Sequence, residues 1–562
     1  MEKPFLENNI GLYIDNYEPV KEEETVYGRD VAVDGFLKAL LLHGRPGNYN
    51  FYQTHGLFKE HINHRSDLPD LATKKTGVTA RFSNIAALKK AGAQFTFSNW
   101  HEPDGDFAQA IALRERYSPK AYPISATFHV LSYQYLLNNW YLEMLLKKTY
   151  AYDTIICTSR AAEKAFRNIL EQVSEAMQQE HGVKLRFGGN TRVIPLGVDT
   201  DHFKPRDKQE LRQMLELPQG AFILLWIGRI SPLDKADLLP LLLVTRELVK
   251  DNPGREIKLV LGGTGEAVFN TIIDQCIRDL ELEENVITIR PLPASRAHLY
   301  HAAADVFVSP VDNVQETFGI TPLEAMACGL PQVVSDWDGY RDTVEHGKTG
   351  FLIPTYMAEL DRTIALGSGL YDNFNLLDHF QLAQTVAIDL NAFKEALQTL
   401  LDSLSLCAEM SRRSRERALE IYDWKHIIRL HENLWDEQQH QAQQQPVIHT
   451  AGDPYNLPAF YRNFHHYASC SITASTKIEL SETGRRLLDQ QPALFFHYGN
   501  FMELSVPLLE RILAQLQTIK KMTFGEVTAQ AATAGDSLES AGKHIMWLLK
   551  YGYLQVRDGQ AV

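Results

Sequence analysis

The chain has 562 residues, of which 44% are hydrophobic, and a formal net charge of −14. The length fits about three domains; the apolar share suits a globular protein. The acidic balance argues against wholesale binding to nucleic acid or anionic lipid. No apolar run reaches the roughly 20 residues that span a bilayer. The first residues, MEKPFLENNIGLYIDNYEP, lack the basic and apolar regions of a signal peptide, so a cytoplasmic location is expected. Five scattered cysteines, with no CxxC pair, predict free thiols rather than a disulfide framework or a zinc site.

Residues 1–205 alternate short apolar runs with longer amphipathic ones. Strands are predicted at Gly11–Ile14, Phe95–Ser98, Ile124–Phe128 and Thr154–Thr158, with helices at Val33–Leu42, Ser132–Lys148 and Ala161–Gln178. Strands alternating with helices imply a parallel sheet covered on both faces. After a polar break a second such block spans 206–437, with strands at Phe222–Ile227, Ile257–Leu261, Val286–Ile289, Val306–Ser309 and Gln332–Ser335. Helices are predicted at Leu238–Asn252 and Pro322–Cys328. Residues 356–385 break the pattern and read as a surface insertion. A helical pattern returns at Tyr422–Gln438. The Gln-rich stretch 438–450 reads as a linker. Residues 451–562 are expected to form a small, mainly α, winged-helix-like domain: three helices, a turn at Gly552 and a short strand. That domain holds ten basic and ten acidic residues, so it lacks the charge footprint of a nucleic-acid binder. Protein or peptide docking, dimerisation or a structural role fits it better.

Three motifs carry chemistry. GRISPLDK follows the strand FILLWI and puts Arg229 and Lys235 on one strand-to-helix loop, at the end of a parallel strand where open α/β sheets bind ligands. Two cations there suit a diphosphate, although two solvated surface cations are an equal reading of that loop alone. ETFGITPLEAMACGLPQVVS follows VFVSP. Thr321 and Pro322 predict a helix start whose free N–H groups form an anion site. Glu324 either closes a capping box with Thr321 or bonds ribose hydroxyls. Glu316, ahead of the helix, is placed to reach ligand hydroxyls. The third motif, TFHV, puts His129 at a strand end facing the same crevice. The cluster Gly262–Gly263–Thr264–Gly265 reads as a tight turn lining it. Three D-x-D patterns, Asp104–Asp106, Asp199–Asp201 and Asp336–Asp338, are expected by chance in a chain with 70 acidic residues, and none is assigned to a metal.

The blocks VIPLGVDTDHFKP, GRISPLDK, KLVLGGTGE and ETFGITPLEAMACGLPQVVSDWDGYRDTVEHGKTGFLI resemble the retaining glycosyltransferases of family 4, in order and in spacing. Glu316 and Glu324 match that family's E-x7-E pattern. The resemblance is strong over 154–353 and 422–435, weaker over 1–150 and absent after about 440. It implies an α/β GT-B fold, with two facing Rossmann-like domains and a donor cleft between them. It also implies a sugar transferred from a nucleoside-diphosphate sugar to an acceptor, without a metal or other cofactor. Arg229 and Lys235 would hold the diphosphate and stabilise it as it leaves. Glu316 would contact the transferred sugar. Phe318, Gly319 and Ile320 would offer backbone N–H groups, Glu324 would bind the ribose and Leu292 would lie in the base pocket. His129 would sit near the anomeric centre, and the helix at 422–437 would cross back onto the first domain. The family's first-loop glycine pair is reduced here to Gly28 in YGRD, and the Arg229–Lys235 spacing is one residue longer than usual. The rival reading is a non-catalytic binding or regulatory protein of the same fold, acting through its C-terminal module.

Overall fold

The structure is a computed structural model; it describes residues 8–14, 17, 28–53, 67–85, 97–118, 121–133, 136–358, 376–444, 463, 465–489, 504–533 and 537–557. The chain divides into two compact units, Met1–Asp453 and Pro454–Val562.

The first unit holds two parallel sheets. The first has seven strands: β1 (Asn9–Tyr13), β2 (Gly47–Gln53), β3 (Val78–Asn84), β4 (Asn99–Glu102), β5 (Ile124–Phe128), β6 (Thr154–Cys157) and β7 (Asn190–Val193). Their order is β3-β2-β1-β4-β5-β6-β7. The second has six: β8 (Phe222–Ile230), β9 (Ile257–Gly265), β10 (Val286–Ile289), β11 (Val306–Ser309), β12 (Gln332–Ser335) and β13 (Gly350–Ile353). Their order is β10-β9-β8-β11-β12-β13. Each sheet reverses direction of growth beside its first strand, at β1/β4 and at β8/β11. That crevice, at the carboxyl ends of the strands, is where this kind of sheet takes ligands. Apolar side chains cover both faces of each sheet, as in Leu12, Leu37, Leu40 and Ile427 on one face of the first and Trp100, Ile124, Phe128 and Phe166 on the other.

Helix α1 (Gly28–His43) follows β1, α2 (Leu68–Thr73) precedes β3, and α3 (Arg160–His181) follows β6. Helix α3 is capped by Ser159, whose hydroxyl accepts the Ala162 N–H, and ends at Gly182 in the left-handed conformation. Helix α4 (Ile320–Ala327) follows β11. Helix α5 (Trp424–Gln444) returns to the first domain. There Trp424, Ile427, Ile428 and Trp435 join the core of β1, α1 and β2, and Asn99 Nδ2 donates to the carbonyl of Trp435 at 3.2 Å.

Several local expectations are corrected. The polar run after Glu437 is helical to Gln444 rather than a linker. Gln438 is buried, and its amide donates to the carbonyls of Tyr152 at 2.8 Å and Ile124 at 3.2 Å; residues 445–450 lie outside the described residues. The helix predicted from Ser132 begins later, with a wide π-type turn over Leu137–Leu142 and an α-turn over Glu143–Leu146. The strand predicted at Phe95–Ser98 is β4, at Asn99–Glu102. Within 356–385, the described residues include a helix, Leu376–Ala383, and one arm of a two-stranded ladder pairing Thr355–Met357 with Val386–Ile388. Its His379 is buried against the first domain, with Nε2 2.7 Å from Ser132 Oγ. This described part is therefore packed rather than a surface excursion.

The second unit combines helices Glu482–Asp489, Val506–Thr518, Phe524–Thr533 and Leu538–Lys550 with strands Lys477–Leu480, Met522–Thr523 and Leu554–Val556. The first of those strands is central and pairs antiparallel with both others. Leu508, Ile512, Val527, Ile545 and Leu548 fill its core.

Candidate active site

Arg229 lies near the end of β8, opposite Thr264 of β9. The chain then turns back. The N–H groups of Lys235 and Ala236 both donate to the Ser231 carbonyl, at 3.1 and 3.2 Å. This turn accommodates the extra residue between the two cations and folds buried Asp234 onto Arg229, with Nη2 to Oδ2 at 2.8 Å. Sequence spacing gave no sign of that pair.

Lys235 reaches across the switch point to the loop after β11. Its Nζ lies 2.5 Å from Glu316 Oε2. Burial works against a charge on Glu316. The Lys235 ammonium and the N–H groups of Phe318 and Thr317 outweigh it and hold the carboxyl below its ordinary range. Lys235 and Glu316 are thus an ion pair built from two loops that converge between β8 and β11.

The approach to α4 differs from the expectation. The helix begins at Ile320, and its N-cap is Gly319 at φ +87°, ψ +101°. No side chain caps it; the Thr321 hydroxyl is buried without a hydrogen-bond partner. The predicted capping box between Thr321 and Glu324 is absent because both residues lie inside the helix. Glu324 instead has Oε2 3.4 Å from Nε2 of buried His301. The first N–H groups of α4 have no intrahelical acceptor. The Phe318 N–H faces Oε1 of Glu316 at 3.4 Å rather than an open crevice, and its ring is buried with Leu196, Val198 and Tyr422. A side chain at Gly319 would place Cβ 2.2 Å from Tyr340 Cε1, and one at Gly339 would place it 2.4 Å from Phe318 Cα. The two glycines let the Glu316–Ile320 loop lie flat on the segment after β12.

The first domain meets this loop at the ends of β5 and β6. Thr317 Oγ1 donates to the carbonyl of His129 at 2.8 Å, and Ser159 Oγ donates to the carbonyl of Thr317 at 2.8 Å. The ring of His129 is tied to β4: its Nε2 is 2.8 Å from the Pro103 carbonyl, which only accepts, so Nε2 carries the proton. Burial is the largest cause pushing His129 down to about 4, so the imidazole is neutral at pH 7. Asp338, at φ +41°, lies 3.3 Å from Ser159 Oγ. Burial first, then Glu316, raise its carboxyl well above the usual range. Thr317, Ser159 and Asp338 were not anticipated. They come from three separate segments, and only the fold joins them.

Leu292 is buried after β10. Its N–H donates to the Gly263 carbonyl at 3.2 Å, and a Cβ at Gly262 would lie 2.8 Å from its Cδ2. Gly262–Gly265 belong to β9 and do not form the predicted turn. A Cβ at Gly263 would lie 1.8 Å from the Gly228 carbonyl oxygen, so glycine there permits close pairing of β8 with β9. Gly28 opens α1, exposed, where an added Cβ would meet nothing within 4 Å among the described residues, and the ten residues before it lie outside them. Its neighbour Arg29 has Nη1 3.5 Å from Asp104. The structure therefore brings Arg229, Lys235, Glu316 and the start of α4 to one switch point, and His129 to its rim. Gly28 opens α1 beside Arg29 and Asp30, whose charges act on the His129 ring.

Two parallel Rossmann-like domains whose carboxyl edges meet at one loop define the GT-B class. Residues 207–366 match the family model described as Glycosyl transferases group 1, which covers Arg229, Lys235, Glu316 and Glu324. The chain is 32% identical over 198 residues to D-inositol 3-phosphate glycosyltransferase 2 of Catenulispora acidiphila, covering 34% of this chain and 44% of that protein. It is 34% identical over 235 residues to D-inositol 3-phosphate glycosyltransferase of Kineococcus radiotolerans, covering 40% and 47%. The matched region thus spans less than half the length of these relatives. In fold, the chain is similar to sucrose-phosphate synthase of Thermosynechococcus elongatus, with a TM-score of 0.51, 20% identity, and coverage of 77% of this chain and 99% of that one. It is also similar to HepE of Anabaena, solved in complex with UDP, with a TM-score of 0.50, 16% identity, and coverage of 76% and 100%.

Proposed function

We propose that the protein is a retaining glycosyltransferase that takes a sugar from a nucleoside-diphosphate sugar and passes it to an acceptor. The observation that carries this reading is the Lys235–Glu316 pair beside Arg229, at the β8/β11 switch point inside the matched segment.

Breaking a sugar–phosphate bond leaves charge on the departing diphosphate. Arg229, Lys235 and the start of α4 converge on that crevice, and positive groups held where such charge develops lower the barrier. In this reading the diphosphate displaces the carboxylates from the two cations. Lys235 and Arg229 exchange protein partners for phosphate oxygens, and Glu316 turns to hydroxyls of the sugar. Glu324 takes the ribose and Leu292 packs beside the base. Neutral His129 accepts through Nδ1 near the anomeric carbon. Retention follows from the family 4 resemblance and means attack by the acceptor on the face the nucleotide leaves. Three groups stabilise the leaving diphosphate in this scheme without a metal. Closure of the two domains about 204–206 and the segment before Tyr422 would exclude water, a competing acceptor. Among the described residues no helix is long and apolar enough to cross a membrane; a cytoplasmic site of action is part of the proposal. So is a docking or dimerisation role for residues 451–562.

The test is thermal denaturation with UDP, GDP, ADP and their sugars, beside Arg229→Ala and Glu324→Ala. A ligand at 100 times its dissociation constant stabilises by about 2.7 kcal/mol. A shift with one nucleotide series, lost in both variants, supports the donor site, and the anomeric configuration of the product then tests retention. No shift with any nucleotide favours the non-catalytic reading.

A further inference from the structure

On the first domain, away from the switch point, α1 ends at His43 and the chain turns through Gly44–Pro46 into β2. Lys75, in the loop between α2 and β3, lies beside this turn, and α5 passes over both. Together they enclose a cavity of about 590 Å³, lined among others by His43, Arg45, Lys75, Lys425, Arg429 and Glu432. These are the amino-end loops of the first sheet, whereas the residues of the proposed donor site stand at carboxyl ends.

The charges in the cavity are unequal. Arg45 is already engaged: its guanidinium makes a two-pronged contact with Asp436, at 2.8 and 3.0 Å, with Nε 3.5 Å from Glu432 Oε2, and its backbone N–H donates to Glu432 Oε1 at 2.5 Å. Glu432, the one carboxylate of the lining, is thereby already engaged. Lys75 Nζ donates to the Gly44 carbonyl at 2.5 Å, which covers the negative end of α1 and leaves the ammonium two further protons. Lys425 has only a loose contact with exposed Asp201, at 3.7 Å. Arg429 is exposed and has no ion-pair partner among the described residues. His43 is held below its ordinary range by burial and then by Lys425, with Lys75 adding to it, against the opposing pull of Asp423 and Asp199. Three cations thus face one concave space, in a chain that is acidic overall. The volume lies in the range of small-ligand pockets. A concave pocket with these cations on its wall suits a compact anion better than a flat lipid surface.

We infer that this cavity is a second ligand site, which takes a small metabolite carrying two or more phosphate charges, held by Lys75, Lys425 and Arg429. Arg429 offers a planar fork to one phosphate, and the two lysines act as point charges on the others. The site does not rest on the proposed transferase function. It joins α1 to the helix that crosses between the domains, so an occupant would bind both.

The experiment is titration calorimetry with inorganic tripolyphosphate. Arg229→Ala/Lys235→Ala protein is used, so that binding at the proposed donor site does not contribute. The expected result is one binding event, weakened at least tenfold when Lys425→Ala and Arg429→Ala are added and kept within threefold by Lys425→Arg alone. The Lys425 and Arg429 side chains are exposed, and a melting temperature equal to that of the Arg229→Ala/Lys235→Ala parent verifies folding. Absence of tripolyphosphate binding, or binding that Lys425→Ala/Arg429→Ala leaves unchanged, overturns the inference. So does co-sedimentation with vesicles of phosphatidylserine and phosphatidylcholine that depends on the two cations while tripolyphosphate does not compete for it.

Discussion

Lys235 Nζ and Glu316 Oε2 stand 2.5 Å apart although 81 residues separate them in the chain. Neither helix nor strand geometry brings them together; the β8/β11 crossover does. Lys235→Ala removes a cation from the crevice and leaves Glu316 buried without its main counter-charge. The expected result is a loss of about 10²–10³ in kcat for sugar transfer or donor hydrolysis. Glu316→Gln keeps Lys235 and should lose turnover with smaller loss of nucleotide affinity. Since the two groups hold different parts of the bound donor but pair in the free protein, the losses in kcat should be near additive while the loss of folding stability in the double variant should be less than the sum of the singles. Steady-state kinetics with the donor found by the nucleotide panel decides this; a Lys235→Ala enzyme within threefold of the parent removes the lysine from the mechanism.

Gly319 should not tolerate a side chain. At φ +87° a β-carbon is strained, and it would lie 2.2 Å from the buried ring of Tyr340, whose hydroxyl is 2.9 Å from Ser309 Oγ. Gly319→Ala should cost about 1–3 kcal/mol, read by denaturant unfolding, and should weaken donor binding by tilting the start of α4. Adding Tyr340→Leu relieves the clash but not the backbone strain, so it should restore only part of the loss. Unchanged unfolding and unchanged nucleotide affinity would refute this account of the loop.

Much of this site was legible in the chain. The strands Ile124–Phe128, Val306–Ser309 and Gln332–Ser335 have the expected bounds, because buried parallel strands are mostly apolar runs; Val286–Ile289 has them too, as a half-buried edge strand. Strands β2 and β3 were missed. In β2, GNYNFYQ, Asn48 and Asn50 interrupt the apolar run, but Asn50 is buried and its amide donates to Asn9 Oδ1 at 2.8 Å and to the Ile10 carbonyl at 3.1 Å. A local pattern cannot display a partner 40 residues away. The same limit hid Asp234, which reaches Arg229 only after the turn closes, and Gln438, whose polar neighbours suggested solvent. It also misplaced the start of α4: Thr321–Pro322 is a good opening, but Gly319, pressed against Tyr340, sets the N-cap two residues earlier.

Asp312 gives a pH signature. It is buried in the loop after β11, where burial and then Asp237 push its carboxyl up to about 7. Between the ordinary carboxylate range and pH 7 the folded chain keeps a proton that the unfolded chain has released. The unfolded state then binds fewer protons, so this group's contribution to stability falls as pH rises from about 4 to 7 and is level above it. Each unit of difference is worth about 1.4 kcal/mol. Asp312→Asn cannot ionise and should lose that slope, so its melting temperature should gain on the parent's as pH rises through this window. Parallel melting curves for the two proteins from pH 4 to 8 would contradict the assignment.

Arg114 and Asp153 should dominate the stability of the first domain. Both are fully buried, with Nη1 2.6 Å from Oδ1 and Nη2 2.9 Å from Oδ2. Asp153 also accepts the N–H groups of Ile124 at 3.1 Å and Tyr150 at 2.9 Å, which ties the start of β5 to the turn before β6. A charge deprived of its partner in such a place costs far more than the intact pair contributes. Asp153→Ala leaves the guanidinium with the Tyr122 carbonyl at 2.9 Å and a longer contact to Glu115 at 3.5 Å. It should destabilise the domain by about 3–5 kcal/mol. Arg114→Met/Asp153→Leu removes both charges and should recover much of that loss, although the two backbone N–H groups stay unsatisfied and keep the variant below the parent. Chemical denaturation of the three proteins separates the terms. If Asp153→Ala unfolds within about 0.5 kcal/mol of the parent, the pair is not what fixes the entrance to β5, and the strand must be held by its apolar faces alone.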